Sequence, residues 1–307
     1  MRRYYNRVFI ILLLTVVGLL VVWRAQQQIP KTTNQLSVAV SFYPLYFLAE
    51  QIGGDKVRVT NLTPAGAEPH DYELTAQDMA RLENSRLLLL NGGGVEVWGN
   101  NIQKNLDPAK TLVVVVGQGL TTRQLIEDNQ AKIDPHIWLS PALFKIMAGR
   151  VEQALSKIDP AATAYYQKNL TELIGRLDQL ILAYKQGLKN CQQKNIIVAH
   201  AAFAYLADDY GLNQVAIAGL SPDAEPSSKQ LADIARFARS NKVKYIFFES
   251  LVSPKLAQTI AQEIGAQTLV LNPLEGLTGD QLAQGQDYFT VMQQNLLNLQ
   301  QALQCSP

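Results

Sequence analysis

Histidine and cysteine are scarce in this chain, at three and two residues respectively among 307. Cys191 and Cys305 lack the close spacing of thiolate zinc ligands, so a sulfur-based metal site is not expected. In an exported chain an isolated pair can close a disulfide, here pinning the last helix to the second half of the molecule. Two separate thiols are the alternative, and the sequence leaves both open. No repeat of fixed short period and no low-complexity tract is present. Basic excess is also lacking: Arg2, Arg3, Arg7 and Arg24 all lie near the N-terminus, and without those four the 27 basic residues become fewer than the 26 acidic ones. That balance argues against nucleic-acid binding. What is present is length and apolar content, 307 residues at 48% hydrophobic, enough to bury the cores of two domains.

The N-terminus has the pattern of a targeting segment. Arginines precede an apolar run over residues 8–23, and a polar stretch follows to residue 35. The run is somewhat shorter than the about 20 residues of a spanning helix. No small-x-small cleavage site is clear around Trp23, Arg24 and Ala25, and no cysteine stands nearby to accept a lipid. A retained anchor is therefore favoured over a cleaved signal. Basic residues before the run place residues 25–307 outside the membrane.

Beyond residue 35, short β-rich runs alternate with longer helical patterns. Strands are expected over residues 36–42, 57–62, 86–91 and 112–116, with helices over 44–52, 75–83 and 97–105. A second series has strands over 195–199, 214–217, 243–249 and 268–271, separated by helices such as 228–240 and 254–264. Such alternation implies parallel βαβ units, hence an α/β fold of two parallel-sheet lobes. Between them Asp159-Pro160 opens a helical pattern whose Leu170, Leu173, Ile174, Leu177, Leu180, Ile181 and Tyr184 recur at steps of three and four. A single rigid helix of roughly 45 Å is expected there, at about 1.5 Å per residue. The expected organisation is a leader over residues 1–35, an N-terminal lobe over 36–158, a linking helix over 159–190 and a C-terminal lobe over 191–307.

Each histidine sits where a metal ligand would. His70 lies in Glu68-Pro69-His70-Asp71-Tyr72, His136 in Asp134-Pro135-His136-Ile137-Trp138, and His200 ends the apolar run 195–199. Parallel α/β sheets bind ligands beyond the C-terminal ends of their strands, which is where His200 falls. The long separations exclude a zinc finger and a helical His-Glu-x-x-His hydrolase site. One site assembled by the tertiary fold is expected instead, with His70 and His136 from one lobe and His200 from the other.

Five ordered motifs carry a resemblance: Glu68-Pro69-His70-Asp71-Tyr72-Glu73, Asp134-Pro135-His136-Ile137-Trp138-Leu139, the strand-end His200, Gly219-Leu220-Ser221-Pro222-Asp223-Ala224-Glu225-Pro226-Ser227, and Asn272-Pro273-Leu274-Glu275-Gly276-Leu277-Thr278. Over about residues 36–303 the chain resembles the zinc and manganese solute-binding proteins of ABC transporters, and among them the zinc-uptake branch. The resemblance implies two α/β lobes joined by a rigid backbone helix, a metal held in the cleft between them, and delivery to a membrane permease. It also implies a fourth ligand, a carboxylate from the loop after a late strand. Where many members have Asp before Pro-Leu this chain has Asn272, a poorer ligand for a dication, so the role falls to Glu275, with Glu249 in reserve.

Three imidazoles and a carboxylate suit tetrahedral Zn(II), whereas Mn(II) prefers more oxygen donors. In the family a carboxylate at the place of His200 accompanies manganese, so histidine there favours zinc. Asp71, Glu73 and Asp134 are candidates to orient the imidazoles from behind. The family often carries a His- and acid-rich loop near the cleft, but the corresponding residues 117–132 hold no histidine, and auxiliary metal capture is not expected. A zinc hydrolase would need an open fourth position and Glu275 or Glu249 as base. If Glu275 closes the shell, no activated water remains and the protein is not an enzyme. A surface adhesin is a third reading. A monomer is the default, since one cleft needs no second subunit.

Overall fold

Two parallel four-stranded sheets organise the structure, a computed structural model that describes residues 35–127, 130–224 and 226–306. The expected leader, its apolar run over residues 8–23 and Glu225 lie outside the described residues. Among the described residues no helix is long and apolar enough to cross a membrane.

The first sheet is built from β1 (Leu36–Val40), β2 (Val57–Asn61), β3 (Leu87–Leu90) and β4 (Leu112–Val115), in the order β2-β1-β3-β4. Its connections carry α1 (Tyr43–Gly53), α2 (Ala76–Glu83) and α3 (Gly99–Asn105). β3 is four leucines buried throughout, as befits a central parallel strand covered on both faces. Next comes an antiparallel hairpin, β5 (Gln124–Glu127) and β6 (Gln130–Ile133). The hairpin is not among the expected strands: each of its strands has only four residues, and β6 is exposed throughout, so no buried face marks it.

The helix α4 (Pro141–Ile158) starts where Ser140 accepts a hydrogen bond from Leu143 N and Pro141 fills the first turn. The linking helix follows, shorter than expected. Pro160–Ala162 form a separate 3-10 turn, and α5 runs only from Thr163 to Gly187. Its 25 residues span roughly 37 Å at about 1.5 Å per residue. Asp159 is non-helical, at φ −137° and ψ 73°, as a residue before proline tends to be. The break therefore falls between α4 and α5 rather than within one rod. The expected apolar face is present: Leu173, Leu177, Leu180 and Tyr184 are buried.

The second sheet holds β7 (Asn195–Val198), β8 (Asn213–Ala216), β9 (Tyr245–Phe248) and β10 (Gln267–Val270), in the order β10-β9-β7-β8. With it come α6 (Ala204–Tyr210), α7 (Ser228–Ser240), α8 (Lys255–Ile264), α9 (Gly279–Ala283) and α10 (Tyr288–Leu303). Cys191 and Cys305 are joined in a disulfide, the outcome the sequence left open. It ties the segment between α5 and β7 to the residues that follow α10.

A common core runs from α1 and α4 through α5 to α10. Phe47 of α1 stacks on Tyr288 at 5.6 Å and meets Phe289 edge-on at 5.7 Å. Phe144 of α4 stacks on Tyr288 at 4.1 Å. Apolar burial across the lobes, rather than the linking helix alone, fixes the two sheets relative to each other.

Candidate metal centre

All four residues proposed to hold a metal stand in loops that leave the C-terminal ends of strands or the hairpin. His70 follows β2, His136 follows β6, His200 follows β7 at once, and Glu275 follows β10. Local chemistry holds each loop. Trp138, fully buried in the turn after His136, donates its indole N–H to the Pro273 carbonyl at 2.7 Å, linking the His136 loop to the Glu275 loop. Asn272 is not among the converging groups. Its Oδ1 accepts from Leu274 N at 2.7 Å and its Nδ2 donates to Ser250 Oγ at 2.9 Å. Leu274 adopts φ 56°, a left-handed conformation that is costly for a side chain with a Cβ. The Asn272 brace and full burial of Leu274 hold that turn and aim Glu275 at the histidines.

One carboxylate oxygen organises the centre. Glu275 Oε1 lies 3.2 Å from His70 Nε2 and 3.1 Å from the Nε2 atoms of both His136 and His200. The last two nitrogens are 3.3 Å apart, and all four candidate ligand atoms fall within 4.8 Å of one another. A tetrahedron with metal–ligand bonds of about 2.0–2.1 Å has edges of about 3.3–3.4 Å. The three oxygen–nitrogen separations and that between His136 and His200 are close to that scale. His136 and His200 are 0% exposed, Glu275 1% and His70 9%, so the set is shielded from bulk solvent, and its open side is that of His70. There it borders a cavity of about 850 Å³ lined also by Glu96, Gln118, Glu127 and Ser221.

Between residues 38 and 302 the chain matches the family model described as zinc-uptake complex component A, periplasmic, ZnuA. The chain belongs to the ZnuA family. It is 38% identical over 281 residues to the high-affinity zinc uptake system protein ZnuA of Bacillus subtilis, with 88% of each chain covered. It is 36% identical over 279 residues to the zinc-binding lipoprotein AdcA of Streptococcus pneumoniae, and spans only 56% of that longer protein. The crystal structure of the Zn(II)-bound ZnuA-like domain of that AdcA superposes with a TM-score of 0.76 at 38% identity, covering 88% of this chain and 99% of that domain.

In this ZnuA-family chain, buried charge sets the electrostatics. Burial pushes the His200 imidazole down, but the Glu249 and Glu275 carboxylates outweigh it and hold the pKa well above the ordinary histidine value. His136 is raised for the same reason, its burial opposed by hydrogen bonds to Asp134 and Glu275. Burial pushes Glu275 up, yet the charge of His200 and hydrogen bonds from the three imidazoles hold it well below the carboxylate range. Glu249 stands behind His200, on Nδ1 at 2.7 Å, and Asp134 behind His136, on Nδ1 at 2.8 Å. Asp71 takes another place: its carboxyl is exposed, and the nearby carboxyl of Asp223 raises it above the ordinary aspartate value. Glu73 is exposed on the same loop.

Glu68 was passed over in the sequence as half of an acidic-proline pair. It accepts from His70 N at 3.3 Å, while its other oxygen is buried with no donor among the described residues. Burial, then the charge of Glu275, push its carboxyl up to about 9. Its position two residues before His70 was the only signal for it in the sequence.

Proposed function

We propose that this chain captures Zn(II) between its two sheets and hands it to an ABC permease for uptake. His70, His136, His200 and Glu275 are the ligands in this reading, and Asp134 and Glu249 orient two of the rings. The observation that carries it is the single Glu275 oxygen set among three imidazole nitrogens at tetrahedral spacing. Zinc is the cargo rather than a resident cofactor. Mn(II) fits less well, because three nitrogen donors and one carboxylate fall short of its oxygen-rich preference.

Relatives named for zinc uptake and zinc binding support transport over catalysis. With Glu275 as fourth ligand no position is left for an activated water, so the chain is not an enzyme. Its place is extracytoplasmic, held to the membrane through residues 8–23 or released after cleavage, as a monomer with lobes at residues 36–158 and 191–307 joined through 159–190. Zinc uptake by cells that carry this chain and its permease tests the proposal. Uptake under zinc limitation should collapse with His136→Ala; equal uptake with that variant would sink the reading.

A further inference from the structure

Glu275 has two carboxylate oxygens, and the histidines use one. Oε1 faces the three imidazoles. Oε2 is buried with no hydrogen-bond donor among the described residues. Glu275 also lines a second cavity, of about 350 Å³, which borders none of the three histidines. The same cavity is lined by Asn61, at the end of β2, whose Oδ1 is likewise buried without a donor. The remaining polar neighbours do not satisfy these two oxygens. Thr63 spends its hydroxyl proton on the Ser41 carbonyl at 2.7 Å. The Tyr43 hydroxyl oxygen accepts from the main chain of Tyr288, and neither it nor the Tyr46 hydroxyl, which also lines the cavity, reaches the two oxygens. Pro64, Ala65 and Leu277 offer apolar wall.

Among the described residues, these two oxygens of the cavity lining thus have no donor. A buried acceptor without a donor is destabilising, and more so when it is charged. A space this large beside two acceptors meets the requirements for ordered water: room, polarity and at least two partners. The metal centre is meanwhile held unequally. The rings of His136 and His200 are braced from behind by Asp134 and Glu249. The free oxygen of Glu275 has no such brace from the protein.

We propose that this cavity is a water-binding site contiguous with the metal centre, in which water bridges Asn61 Oδ1 and Glu275 Oε2. The water makes Glu275 the ligand that leaves first when zinc departs. The inference rests on the reading of Glu275 as a zinc ligand. On release the Glu275–zinc bond breaks while the histidine nitrogens still hold the ion, and the carboxylate regains its full charge. Water in the cavity solvates that charge and lowers the barrier. Asn61 acts only through the water, so it is a positioning residue and not a ligand.

Two measurements on the full-length protein test this. A high-resolution crystal structure of the zinc-free protein should show ordered water within hydrogen-bond reach of both oxygens, a readout independent of zinc. A dry cavity would overturn the proposal. The second is stopped-flow release of zinc to a colorimetric chelator, with one bound zinc per chain first established for each variant. Asn61→Leu removes the acceptor and puts an apolar side chain in its place, and should slow release at least about tenfold, the scale of one hydrogen bond to a charged group. Asn61→Ser keeps room for water and should release zinc at close to the parent rate. Release by Asn61→Leu that is unchanged or faster overturns the proposal. If the parent protein binds no zinc, the ligand assignment fails first, and the water density still decides whether the site exists.

Discussion

One oxygen of Glu249 takes both polar hydrogens of His200, its main-chain N–H at 3.2 Å and its ring Nδ1 at 2.7 Å. Asp134 repeats the device on His136, at 3.0 and 2.8 Å from a single oxygen. A carboxylate on Nδ1 fixes the proton there and leaves the Nε2 lone pair for a metal. The main-chain bond pins the ring to its loop in the same stroke. Glu249→Gln and Asp134→Asn keep the shape and lose the charge. Each should weaken zinc binding by about 10–100-fold, the usual loss when a ligand's supporting partner is removed. Affinity equal to the parent, by competition against a chelator, would remove the orienting role.

The raised imidazoles set the pH response. His136 and His200 lie above their ordinary value in the zinc-free protein, so their charged forms stabilise the fold below the unfolded value of about 6.5. That stabilisation is lost as pH rises through the raised values. Glu275 is depressed, so its contribution is present above its unfolded value and fades only as pH falls through the lowered one. Zinc needs both rings neutral and releases their protons on binding. Competition by protons therefore begins above the ordinary histidine range, not below about pH 6 as unperturbed imidazoles would give. Thermal melts with and without zinc should show the zinc-free midpoint falling, and the gain from zinc growing, as pH rises above about 6.5. A constant gain across that window would contradict it.

Asn272 holds a turn beside the centre without facing the imidazoles. Asn272→Asp keeps the acceptor for Leu274 N but loses the donor to Ser250 Oγ. Denaturant melts should show a loss of about 1–3 kcal/mol, from one stranded buried polar group. The new carboxylate should not replace Glu275. Zinc affinity restored in the Glu275→Ala, Asn272→Asp double variant would show that it does.

The disulfide closes a loop with a sequence separation of 114, which takes in the whole second sheet. Chain-entropy estimates for loops of that size approach about 5 kcal/mol, and native bridges commonly give 2–5 kcal/mol. Cys191→Ser with Cys305→Ser should lower the unfolding free energy within about that range. Zinc affinity of the folded molecule should hold, since neither cysteine is near the four ligands. A large loss of affinity with unchanged stability would reverse this assignment.

Much of the fold was legible because β3 and β7 are continuous apolar runs and α5 repeats its leucines at helical spacing. The histidines were legible because there are only three and each stands in a distinctive context. Other features depend on information no local pattern carries. The β5–β6 hairpin has strands of only four residues and buries no face on its second strand. The break at Asp159 turns on how a proline is used: Asp159-Pro160 can open a long helix or, as here, a separate short turn. Asp71 is a candidate to stand behind an imidazole by its proximity in sequence, yet its carboxyl is exposed and is raised by Asp223, a neighbour remote in sequence. Glu68 and Asn61 gain their significance from burial beside Glu275, which is remote from both in sequence.

Chelator-competition titration of the purified protein with Zn(II) and Mn(II), run on the parent and on His70→Ala, His136→Ala, His200→Ala and Glu275→Ala, tests the metal centre most directly. The expected result is one tightly bound zinc per chain, much weaker manganese, and a strong loss of zinc affinity in every variant while the zinc-free fold persists by circular dichroism. Manganese bound as tightly as zinc, or any one variant with parent affinity, would contradict a closed shell of three histidines and one glutamate.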